Sequence, residues 1–235
     1  MKIEDFVLER VTIEVRYPKT FLFWDHVGTF WTGIEKDWPT ITDVEADPAK
    51  TVFRLDPESS YELVAELAAA RIVAHSPKGN LDELKKVAAN FFTRLCELMN
   101  IQYFNRVGFR LIFFLSKDSF AESKDLVNQA ALVQLPAGRA LGLDMEGAWT
   151  ETAVLLASED LGARIRLAPR TRNLDVTPPL GFGLERIKRE EHGVLFDVDY
   201  YTMSLVDIAQ IEFQDWISNA YHLIKRDSEK FLAKG

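Results

Sequence analysis

Val11-Thr12-Ile13-Glu14-Val15-Arg16-Tyr17 decides the fold. Val11, Ile13, Val15 and Tyr17 share one face and Thr12, Glu14 and Arg16 the other, a period of two that marks a half-buried strand. Pro18 closes the run, because a residue without an N–H cannot continue a ladder. An aromatic-rich helical stretch follows, then extended segments, then a long amphipathic helix opening at Asn80. In the second half of the chain the order recurs. Gly108-Phe109-Arg110-Leu111-Ile112-Phe113-Phe114-Leu115 leads to a helix near Ser119, then extended segments, then a long helix expected from Ser204. Two copies of one unit are expected to pack about a pseudo-twofold axis over a shared core. Strands that alternate polar and apolar need one face covered, so the expected fold is α+β. It consists of duplicated β-α-β-β-β-α halves, with a mostly antiparallel sheet under long helices. The halves, 1–105 and 106–235, meet at a short aromatic junction without a Ser/Gly-rich linker and are expected to form one globular unit.

Working outward, residues 21–38 switch to helical spacing. Phe23, Val27, Phe30 and Ile34 form one stripe, and Trp24, Trp31 and Trp38 form an adjacent one before Pro39 ends the helix. Residues 40–76 read as extended, clearest at 51–55. The stretch 61–75 is divided: Ser59 with Glu62 resembles a capping box and 62–68 is rich in helix formers, while the repeat calls for a strand. It is assigned as a strand. The next helix carries its apolar face on Leu81, Leu84, Val87, Ala88, Phe91, Leu95 and Leu98. In the second half the spacing predicts a helix over 119–131, a glycine-punctuated loop over 132–147, and strands at 149–158 and 163–167. A long polar loop over 169–192 and a last strand at 194–201 follow. Leu205, Ile208, Ile211, Trp216, Ala220 and Leu223 predict a terminal helix from Ser204.

The composition is that of a folded globule, 47% hydrophobic and 27% charged. The longest apolar runs fall far short of the roughly 20 residues that cross a bilayer, and the N-terminus has no signal-peptide pattern. Cys96 is the single cysteine, which precludes an internal disulfide and makes a cytoplasmic setting the expectation. A net charge of −8 argues against general nucleic-acid affinity, which runs on Lys and Arg.

Strong catalytic and metal signatures are absent: no CxxC, HExxH, P-loop or GxSxG occurs. Asp197 and Asp199 lie two apart on one strand face, a spacing that holds a divalent cation when other ligands converge. The alternative is a cross-strand ladder with Arg164 and Arg166, also two apart, which buries Ile165, Leu167, Phe196 and Val198 on the opposite side. Arg164, Arg166, Arg170 and Arg172 open the one locally basic region, 164–189, and their planar forks suit phosphate or carboxylate recognition. The alternative is a solvated strand with acidic neighbours. Arg106 and Arg110 flank Gly108, where they are expected to fix the junction through carboxylate or carbonyl bonds. The tryptophan stripe widens the apolar surface of its helix beyond one sheet contact, which nominates Trp24, Trp31 and Trp38 as a partner-binding surface.

Four of these features together — the strand ending in Val15-Arg16-Tyr17, the long helix before Tyr103, the Arg106-Val-Gly-Phe-Arg110 junction and the Asp197-Val-Asp199 strand — resemble a sporadically distributed family of uncharacterised bacterial proteins. The resemblance implies a shared architecture without an established activity, and a patchy distribution that fits mobile or defence-associated cargo. The expected function is therefore a non-catalytic binding or assembly protein that uses no cofactor and docks a protein partner or a second copy. Two alternatives stand beside it: a small-anion or nucleotide-binding protein using the 164–189 arginines, and a metal-dependent enzyme using Asp197 and Asp199.

Overall fold

β1 (Val7–Arg16) and β7 (Arg106–Lys117) pair antiparallel at the centre of a nine-stranded sheet in the computed structural model. The structure describes residues 1–38, 41–47, 49–55, 61–77, 81–130, 139–140, 143–144, 148–176 and 187–232. On the β1 side follow β5 (Ala69–His75), β4 (Tyr61–Glu66), β3 (Lys50–Leu55) and β2 (Ile41–Asp47). On the β7 side follow β12 (Ile187–Thr202), β11 (Leu161–Val176) and β10 (Thr152–Ala157). Every pairing is antiparallel. Two small ribbons stand apart: β6 (Tyr103–Phe104) with β13 (Val206–Asp207), and β8 (Arg139–Ala140) with β9 (Leu143–Asp144). The fold is α+β, as the alternating strands require.

Four helices, α1 (Leu22–Asp37), α2 (Asp82–Met99), α3 (Phe120–Gln129) and α4 (Phe213–Leu232), supply apolar side chains to one sheet face. The register explains which face. Val11, Ile13 and Val15 of β1 stand opposite Leu111, Phe109 and Val107 of β7, and all six are buried in the core beneath the helices. Phe30 of α1 meets Phe53 of β3 and Phe91 of α2, and Phe92 of α2 meets Phe213 of α4, so aromatic pairs tie the helices together. Ser119 caps α3 by accepting from the Glu122 N–H at 3.2 Å. Among the described residues no helix is long and apolar enough to cross a membrane.

Several expectations need correction. Residues 61–75 form two strands, not one. Tyr61, Leu63 and Ala65, then Ala70, Ile72 and Ala74, point alternately into the core on either side of a tight turn, so burial overrides the helix propensity of 62–68. The first half therefore has four described strands between its two long helices. Most of the expected loop at 169–192 is strand. β11 and β12 form a long hairpin whose register runs unbroken from Leu161↔Thr202 to Val176↔Ile187, leaving 177–186 outside the described residues. Pro169 is tolerated there because β10 pairs with β11 only as far as Leu167. The terminal helix begins at Phe213. Val206 and Asp207 pair with Phe104 and Tyr103, and Asp207 accepts from the Ala209 N–H to start a 3-10 turn, so tertiary pairing wins over helical spacing at 204–211. Asn80 and most of 132–147 lie outside the described residues.

Candidate functional site

The sheet face away from the helices carries the charged residues singled out above. Arg164 stands opposite Asp199 and Arg166 opposite Asp197, with Ile165, Leu167, Phe196 and Val198 turned to the helix side. The ion pairs, however, go to the other neighbour. Asp197 receives a two-pronged fork from Arg110, at 2.8 and 2.7 Å, and Asp199 receives Arg106 at 2.9 and 2.8 Å. Arg106 also reaches Glu14 on β1 at 2.9 Å and stacks over the Tyr201 ring at 4.5 Å. One guanidinium thus ties β1, β7 and β12. Burial pushes the Asp199 carboxyl above its ordinary value, and Arg106 and Arg110 offset this only in part.

Glycines make room for this lattice. A Cβ on Gly108 would lie 2.9 Å from an Arg106 nitrogen, and one on Gly193 would lie 2.4 Å from the Leu115 carbonyl oxygen and from the Phe114 ring. The Phe114 ring carries the Arg172 guanidinium 4.1 Å above it. Arg172 bonds Glu191 at 2.7 Å and Glu9, which a bulge in β1 turns toward it. Arg166 and Arg170 share Glu151, at 2.6 and 3.0 Å. Of the four nominated arginines, Arg164 alone has no charged partner among the described residues. Arg106, Arg110 and Arg172 hold strands together, and both aspartates of the DxD pair are occupied. No group of three or more His, Cys, Asp or Glu side chains converges on a cation position among the described residues. Burial pushes the Cys96 thiol up to about 12, so this cysteine is an unreactive core residue.

The three tryptophans do not form one exposed stripe. Trp24 is 52% exposed and lies against Phe21, while Trp31 stands edge-on to Phe53 and Trp38 packs partly buried on the core.

Sequence reasoning overlooked the outer edge at β10. Thr152-Ala153-Val154-Leu155-Leu156-Ala157 contains no charged residue, and nothing pairs with its outer side among the described residues. Leu155 is 73% exposed on the helix-free face and Leu156 51% exposed on the helix side. The direction of its free backbone groups follows from the turn. Ser158 N–H bonds the Leu161 carbonyl at 2.8 Å, which makes that pair a hydrogen-bonded one. Alternation along an antiparallel ladder then directs Thr152, Val154 and Leu156 toward β11. The N–H and C=O groups of Ala153, Leu155 and Ala157 point outward. Behind the edge lies a cavity of about 580 Å³ between β10–β12 and α4, walled by Leu156, Leu161, Ile165, Tyr200, Leu223 and Phe231. Ser228 lines it, 5% exposed, its hydroxyl without a hydrogen bond among the described residues. The available signal was the uncharged run at 152–157, but the sequence does not say which strand lies outermost.

No protein-family model matches the chain, and no curated protein matches it.

Proposed function

We propose that this is a non-catalytic binding and assembly protein that takes up an extended protein segment by strand addition at β10. The observation that carries the reading is the edge itself. It is uncharged, apolar on both faces and supplied with outward N–H and C=O groups. Folded proteins ordinarily blunt such an edge with charge, proline or a cover. The arginines and aspartates act in this reading as braces that hold β11 and β12, and hence β10, in place.

We infer as well that the two halves are copies of one unit. In support, β1 and β7 pair with each other, and each has as its other neighbour the last strand of the nine-stranded sheet before the final long helix of its own half. On that correspondence β12, β11 and β10 match β5, β4 and β3. Among the described residues β2 has no counterpart, and the outer side of β10 is the position a partner strand would take.

The test is a fluorescence titration with a labelled peptide of residues 151–158 against the full chain. Saturable binding is expected. It should disappear in Leu155→Pro, which removes an outward N–H and leaves the ladder to β11 intact. A peptide that fails to bind the chain at a concentration where it is monomeric sinks the reading.

A further inference from the structure

We infer that the strand received at β10 is β10 of a second copy, joined about a two-fold axis at Leu155. This rests on the strand-addition reading and names its partner. Antiparallel pairing of a strand with its own copy is intrinsically two-fold, so one edge can serve both subunits. The register follows from the outward groups. Centring the pair on Leu155 places Leu155 opposite Leu155, Ala153 opposite Ala157 and Val154 opposite Leu156 of the partner strand. The outward groups of Ala153, Leu155 and Ala157 are then all used within the strand, giving about six backbone hydrogen bonds. A register shifted to centre on Val154 leaves Ala157 facing Glu151, outside the strand.

The side chains agree with this register. Leu155, the most exposed leucine among the described residues, meets its own copy on the helix-free face. Leu156 and Val154 of both copies meet on the helix side, beside the apolar cavity that Leu156 already borders. Charge selects the same edge. On a chain of net charge −8, two copies approach with least repulsion where neither carries a charge, and 152–157 is such a segment. Glu151 and Glu159, which flank it, would face one another across the axis and so terminate the ladder. The charge of Glu151 is already shared by Arg166 and Arg170.

The test is light scattering on the full chain, on Leu155→Lys, on Leu155→Glu, and on an equimolar mixture of the two variants. Leu155 is exposed, so each variant monomer should still unfold cooperatively, at the melting temperature the wild type reaches when diluted to its monomer. The wild type is expected to be a dimer. Each variant puts like charges opposite one another and should raise the dissociation constant by at least about a hundredfold, whereas the mixture should recover the dimer. A dimer that persists in both variants overturns the inference, as does a mixture that stays monomeric. A wild-type chain that is monomeric yet binds the 151–158 peptide overturns self-pairing and leaves strand addition standing. A monomer that binds no peptide overturns both.

Discussion

The two edges of the sheet are built on opposite principles. β2, at one end, reads Ile41-Thr42-Asp43-Val44-Glu45-Ala46-Asp47, with an acid at every second position. Glu45 is anchored to Arg54 of β3 at 2.8 Å, and Asp47 accepts from the Ala49 N–H at 2.7 Å. β10, at the other end, has no charge and two exposed leucines. Regularly spaced like charges repel an incoming strand, whereas a neutral apolar edge invites one. Among the described residues the sheet thus has one acidic edge strand and one uncharged edge strand. The supports differ as well. The β2 side rests on aromatic packing of Phe30 and Trp31 against Phe53. The β10 side is held through β11 and β12 by the arginine–carboxylate lattice on the helix-free face.

The largest effect should come from breaking the seat of the β11–β12 hairpin. Gly193→Ala drives a Cβ into the Leu115 carbonyl and the Phe114 ring and should cost about 2–3 kcal/mol, read as a lowered denaturant midpoint. Arg106→Met comes next. It strands the partly buried Asp199 carboxylate and should cost about 2 kcal/mol, below the 3–5 of a fully buried pair because Asp199 keeps some solvent contact. Asp199→Asn in the same chain should restore part of the loss, which a purely steric effect of methionine would not allow. A third change removes the contrast between the edges. Glu45→Val with Asp47→Val should barely alter stability, yet it gives the sheet a second open edge and should convert a closed assembly into concentration-dependent higher oligomers. Size-exclusion elution unchanged from wild type would show that the acids are not what terminates β2.

The smallest effect is a pH dependence. The Ser116 hydroxyl, with Arg172, holds the Glu191 carboxyl below its ordinary value. A depressed carboxyl stabilises the fold above the unfolded value of about 4.3 and loses that contribution as pH falls through the folded value. The stability gap between wild type and Glu191→Gln should therefore be small at pH 7 and close below about pH 4. A gap that stays constant down to pH 3 would show that Glu191 acts by packing alone.

The sequence carried face assignments well and neighbour assignments poorly. The period of two in 11–17 and 108–115 placed the central strands, and the matched spacing of Arg164/Arg166 with Asp197/Asp199 placed those pairs in register. Each interior strand has two neighbours, however, and spacing does not say which one a carboxylate will choose. Asp197 and Asp199 chose Arg110, which reaches both oxygens with a two-nitrogen fork, and Arg106, which reaches both with one nitrogen. The same limit concealed the edge: 152–157 reads as a strand, but its outermost position depends on the whole sheet order. Where local spacing misled, tertiary pairing was the cause. Leu205, Ile208 and Ile211 fit a helix, yet Val206 and Asp207 are held by β6. Trp31 fits an exposed stripe, yet Phe53 takes its ring.

The central claim, that β10 is an open edge filled by its own copy, is tested most directly by amide hydrogen exchange at two protein concentrations about a hundredfold apart. The account predicts that the amides of Ala153, Leu155 and Ala157 are protected at the higher concentration and lose that protection on dilution, while the amides of β2 exchange identically at both. Free-chain exchange of these three amides at both concentrations would contradict it.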